Sequence, residues 1–183
     1  MCEAQPGVWF CELCGEAVFS MGKPSRCPAC GAWPELMVEP TEPPTVLARG
    51  QTYSPEVIAG AQRMIIQEMD TSEIYSRVQA SAEHPLLRVT FRSLQRIEGR
   101  HATLLCAIFK LKRPAPTQRP DLSALTDRAL LELIRPREDE TIVMYQQEIA
   151  RVEGTELARV YQALIDIEED HNALSARLLS LFG

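Results

Sequence analysis

The sequence predicts a mainly α-helical protein: a four-helix bundle with one long crossover, preceded by a small cysteine-rich module. Three observations predict this. Seven of the 13 prolines and every cysteine but Cys106 fall before residue 51. Beyond that point the chain becomes long amphipathic stretches with few breakers, as core-facing helices require. The breaks between those stretches run short, long, short, the spacing of a bundle in which one connection must travel the length of a helix.

The chain has 183 residues, enough for one medium core and a small satellite module. Residues 1–38 read as the module, 39–53 as a linker and 54–183 as the bundle. Glu39-Pro40-Thr41-Glu42-Pro43-Pro44 is predicted to be extended and semi-rigid. Ser54-Pro55-Glu56 starts the first helix with an N-cap, a proline at N1 and an acid in the first turn. That helix is predicted to end near Ala82. His84-Pro85 starts the second, which runs to about Lys112. Pro114, Pro116 and Pro120 then exclude helix. The third runs from about Thr126 to Glu153-Gly154, with a kink expected at Pro136, and the fourth from about Thr155 to Phe182. The second helix would be about 42 Å long. The 13 residues Arg113–Leu125 reach about 43–47 Å when extended, enough to run back along it.

Net charge is −6, from 19 basic and 25 acidic side chains, which weighs against nucleic acid and anionic membranes as partners. No apolar run approaches the ~18–20 residues of a membrane span, and the first residues lack the pattern of a secretory signal, so a cytoplasmic protein is expected.

A repeat of 70 residues carries the chemistry of the bundle. It superposes Glu68 on Glu138, Tyr75 on Tyr145, Glu98 on Glu168 and His101 on His171. Glu98-Gly99-Arg100-His101 and Glu168-Glu169-Asp170-His171 are both E-x-x-H, and they hold two of the three histidines. All six acids and imidazoles interrupt apolar heptad stripes about halfway along their helices. Four ionised carboxylates buried together cost several kcal/mol each unless compensated. Two divalent cations would neutralise them, and carboxylate with imidazole suits iron or manganese. This is the arrangement of di-metal carboxylate bundles. Tyr75 and Tyr145 lie two turns from a ligand glutamate, placed either to hydrogen-bond a carboxylate across the bundle or simply to fill the core. His84, Asp70, Asp139 and Glu140 read as solvent-exposed, and Cys106 as a packed thiol.

In the module, Cys11-x-x-Cys14-Gly15 and Cys27-x-x-Cys30-Gly31 are two knuckles separated by 12 residues. The spacing suits a closed tetrahedral site for one iron or zinc. Each trailing glycine lets the backbone turn and aim N–H groups at sulfur. Cys2 is left without a role.

Val8-Trp9-Phe10-Cys11 through Cys30-Gly31-Ala32 resembles a short-loop rubredoxin domain. Residues 54–183 resemble the ferritin-like di-iron domain of rubrerythrin, and the order of the two is that of reverse rubrerythrins. The resemblance implies two irons in the bundle and an FeS4 centre passing electrons to them from an external reductase. It implies reduction of hydrogen peroxide to water by a homodimer or higher homo-oligomer. Cross-subunit pairing in rubrerythrins, with the proline-rich linker here, suggests that each cysteine site serves a neighbouring chain. One departure is Thr141, mirrored by Thr71, where rubrerythrin carries an extra glutamate. The symmetric four-glutamate, two-histidine set is closer to bacterioferritin and keeps ferroxidase, oxidase or iron-storage activity open. A non-catalytic zinc-ribbon interaction module is the remaining alternative.

Overall fold

The computed structural model describes residues 6–40 and 45–182. Cys2 and residues 41–44 of the predicted linker lie outside them. The module is a three-stranded antiparallel sheet of order β2-β1-β3: β1 (Gly7–Cys11), β2 (Ala17–Ser20) and β3 (Met37–Val38). The bundle follows as α1 (Pro55–Ser81), α2 (Pro85–Phe109), α3 (Asp127–Ile149) and α4 (Glu156–Phe182). Among the described residues no helix is long and apolar enough to cross a membrane.

The helix starts follow the local chemistry. Ser54 Oγ accepts from Val57 N–H, and Thr126 Oγ1 from Ala129 N–H. His84 is more than an exposed side chain, since its Nδ1 accepts from Leu86 N–H and caps α2. Two ends fall short of expectation. α2 stops at Phe109 because Lys110 turns left-handed (φ 55°) and Leu111 N–H closes on the Cys106 carbonyl. α3 stops at Ile149, and tighter turns from Glu148 and Ile149 carry the chain to α4. The helix continues through Pro136.

The core shows how the helices run. One apolar cluster holds the start of α1 (Val57–Met69), the ends of α2 (Ala102–Phe109) and α3 (Tyr145), Val152 of the turn that follows α3, and the start of α4 (Leu157–Ile167). A second holds the opposite ends, including Ile74, Phe91, Leu131 and Leu178. α2 and α3 therefore run parallel. The connection between them crosses the whole bundle, as a single long crossover requires. The belt of Glu68, Glu98, Glu138 and Glu168 divides the two clusters.

Asp70 fastens that crossover. Expected to be solvated, it is instead 2% exposed and accepts from Thr117 N–H, Thr117 Oγ1–H and Gln118 N–H. Downstream, Arg77 donates to the Pro120 carbonyl, and Leu122 is buried in the second cluster. Asp70→Ala removes these three hydrogen bonds and should lower unfolding stability by about 1–3 kcal/mol in a denaturant titration. A loss below about 0.5 kcal/mol would show the crossover to be held otherwise.

The second half of the linker is not an extended spacer. It turns over residues 47–50, buries Leu47 and Ala48, and donates Leu47 N–H to the Glu12 carbonyl. Leu47 and Ala48 share the first apolar cluster with the four cysteines and the helices. The module therefore packs on the bundle of its own chain, and does not reach past it as an extended linker would.

Candidate metal centres

The two cysteine knuckles have matching geometry. Gly15 N–H donates to the Cys11 carbonyl and Gly31 N–H to the Cys27 carbonyl, at 2.8 and 2.9 Å. Both glycines take the left-handed backbone the turn needs, with φ of 82° and 80°. Gly31 has a second constraint, because a Cβ there would meet Ile167 Cγ2 of α4 at 3.1 Å.

All four sulfurs are buried and none is in a disulfide. Cys11 and Cys30 Sγ lie 3.7 Å apart, Cys14 and Cys27 Sγ 3.8 Å. A tetrahedron with metal–sulfur bonds of about 2.3 Å has edges of about 3.8 Å, so the donor set fits one tetrahedral ion. Hydrogen bonding among the thiols holds Cys14 down at about 7 and Cys27 lower still, while Cys11 and Cys30 are pushed up. Thiols packed this closely would release their protons on binding one metal ion.

In the bundle, α1 contributes Glu68, α2 Glu98 and His101, α3 Glu138, and α4 Glu168 and His171, all buried. Their donor atoms form two groups, each within 4.8 Å throughout. One is Glu68, Glu98, His101 and Glu168; the other is Glu98, Glu138, Glu168 and His171. Glu98 and Glu168 belong to both, so the E-x-x-H glutamates lie where bridging ligands must, with Glu68 and Glu138 at the flanks. Sequence alone left that choice open. The imidazole rings stack 6.3 Å apart, centroid to centroid.

The orphaned atoms test the fit. Both oxygens of Glu98 and Glu138, Glu68 Oε2, Glu168 Oε1 and His101 Nδ1 are buried without a hydrogen-bond partner. His101 Nδ1 stands 3.2, 3.4 and 3.5 Å from Glu168, Glu98 and Glu68 oxygens. These are edge lengths of a coordination shell whose bonds are about 2.0–2.2 Å. The carboxylates are also electrically unbalanced. Burial and Glu168 push Glu68 up to about 8, and burial with Glu168 pushes Glu138 well above the usual range. Burial opposes charging both imidazoles, but the carboxylates outweigh it and hold them well above the usual value. Two divalent cations would satisfy the orphans and the charge together.

The surroundings of the site are not symmetric. Tyr145 Oη donates to Glu68 across the bundle, whereas Tyr75 Oη is buried without a partner and packs its ring 5.2 Å from Phe91. The equivalent ring contact in the other half is Tyr145 with Tyr161, at 5.7 Å. Thr141 is buried, and its hydroxyl donates to the Arg137 carbonyl at 3.0 Å, so no carboxylate occupies that position. Asp139 and Glu140 are exposed, and Cys106 is buried, which pushes its thiol up.

The two centres meet through His101. Its Nε2 lies 2.9 Å from the Cys30 carbonyl oxygen. A carbonyl only accepts, so Nε2 carries a proton, and Nδ1 is the ring nitrogen left to bind a cation in the carboxylate centre. Sequence reasoning missed this contact and the ion pairs flanking it, Arg100 with Glu16 and Asp170 with Arg26. One signal was present: within the repeat, Arg100 and Asp170 occupy equivalent positions with opposite charge.

No family model matches the chain, and no curated protein and no solved structure matches it. The chain carries a four-cysteine site and a buried carboxylate–histidine site, each with the donors and spacing to hold metal ions.

Proposed function

We propose that this chain is a rubrerythrin-like, non-haem di-iron peroxidase that reduces hydrogen peroxide to water with electrons from a four-cysteine iron. The His101 hydrogen bond carries this reading. One imidazole faces the carboxylates through Nδ1 and touches the cysteine knuckle through Nε2, which joins the two donor sets within a single chain. Irons held by these residues would supply the electrons that break the O–O bond and the route by which they are replaced. The protein's own part is positional. The Cys30 carbonyl fixes the His101 tautomer, and the Tyr145 hydroxyl holds Glu68. The apolar clusters on either side of the carboxylate belt keep bulk water from it. In this reading the protein is cytoplasmic and homo-oligomeric, and an external reductase feeds the cysteine centre.

The test is stopped-flow reoxidation of the reduced, iron-loaded protein. Peroxide is expected to reoxidise the centre at least roughly tenfold faster than dioxygen at equal concentration, a barrier difference of about 1.4 kcal/mol. A faster reaction with dioxygen would favour a bacterioferritin-like ferroxidase or oxidase, the reading that Thr141 supports. Storage would further require a large hollow assembly, which light scattering detects. A preparation that stays colourless after anaerobic loading with iron would support the zinc-ribbon alternative.

A further inference from the structure

The repeat gives the bundle a two-fold pseudo-symmetry that exchanges α2 with α4, and with them His101 with His171. Such a bundle offers the cysteine module two related seats. In one, Cys30 lies on His101; in the other, it would lie on His171. Only the first is occupied.

The charges beside the two histidines distinguish the seats. Arg100 precedes His101 and Asp170 precedes His171. Arg100 pairs with Glu16 of the module, and Asp170 pairs with Arg26. Both module residues sit next to the knuckles. Glu16 follows Gly15. Arg26 precedes Cys27, donates to the Gly31 carbonyl at 3.1 Å, and stacks its guanidinium 3.2 Å above the Trp33 ring. Arg26 is thus held rigidly in the knuckle it shares with Cys30. In the alternative seat Arg26 would face Arg100, and Glu16 would face Asp170. Both contacts would then join like charges, which is how interfaces reject a wrong register.

We propose that Arg100 and Asp170 are positioning residues whose opposite charges, at symmetry-related places, seat the cysteine module so that Cys30 meets His101 and not His171. The two metal positions of the bundle are then inequivalent by construction. Only the His101 position adjoins the cysteine centre, which under the functional reading above is where electrons would enter.

The experiment needs no redox chemistry. The full-length chain is loaded with zinc at all sites, and histidine ring N–H exchange is followed by ¹⁵N NMR. In the parent, the His101 Nε2 proton is expected to exchange slowly because it is bonded to the Cys30 carbonyl, and the His171 ring proton quickly. Two charge-swapped variants follow: Glu16→Arg with Arg26→Glu on the module, and Arg100→Glu with Asp170→Arg on the bundle. Each alone should speed His101 exchange about tenfold or more, and the fourfold variant should return it to within about twofold of the parent. Where Arg26→Glu loses zinc from the cysteine site, Glu16→Arg and Arg100→Glu, singly and together, provide the same cycle. Slow His101 exchange in the singly swapped chains, or no recovery when both sides are swapped, overturns the proposal. Absence of peroxide reactivity in the iron-loaded parent, with this exchange pattern intact, would instead refute the functional reading alone.

Discussion

Glu98→Ala is expected to weaken cation binding at both positions of the bundle centre, whereas Glu68→Ala should weaken it at one. The difference follows from membership of the donor groups: Glu98 belongs to both, Glu68 only to the group containing His101. Losing a bridging carboxylate removes a ligand and a negative charge from each cation at once. Groups that merely support a ligand are worth about 10–100-fold in affinity, so loss of the ligand itself should cost about 100-fold or more. With the cysteine site kept filled with zinc and the bundle centre emptied, calorimetric titration with manganese should show about two cations per parent chain. The Glu98→Ala isotherm should lose both tight steps. The Glu68→Ala isotherm should keep one step, and the Glu138→Ala isotherm should keep the other. If Glu98→Ala retained one parental-strength step, the bridging assignment would be wrong.

The candidate ligands were legible because helices impose a period. Glu68, Glu98, Glu138, Glu168 and both histidines interrupt apolar stripes at one repeat distance, and the structure gathers all six into the core. The crossover was legible from prolines and chain length. What escaped reading depends on contacts between distant segments, which leave no periodic trace. Asp70 looks like any surface acid until Thr117 and Gln118 fold onto it. Leu47 and Ala48 follow a proline run that reads as a spacer, yet they complete the apolar cluster under the cysteine knuckles. Tyr75 and Tyr145 are equivalent in the repeat but differ in the structure, because only Tyr145 finds a carboxylate, that of Glu68, to bond. Bridging was undecidable from sequence for a similar reason. Spacing along one helix says that Glu98 and His101 share a face, but not how far the carboxylate reaches across the bundle.

Removing the metal from the cysteine site should unfold the module and leave the bundle standing. The module has three strands of two to five residues, and its buried apolar side chains are few: Phe10, Leu13, Ala32 and Met37 besides the cysteines. Units below about 40 residues seldom hold a fold without a metal, a disulfide or a partner surface. A structural ion in a four-thiolate site contributes on the order of 10 kcal/mol, which is folding energy when the site does not exist in the unfolded chain. The helices, of 27, 25, 23 and 27 residues, keep the second apolar cluster whole and the helical part of the first. In Cys27→Ala protein, amide exchange in β1, β2 and β3 and at Leu47 should therefore accelerate by about 1,000-fold or more, equivalent to about 4 kcal/mol. Protection should persist through most of α1 to α4. It should fall locally around His101 and Ile167, which lose the Cys30 carbonyl and the Gly31 contact. If the strands instead stayed protected in the metal-free variant, packing against α2 and α4 would be what holds the module together. The four-cysteine site would then be a passenger on that interface and not its organising centre.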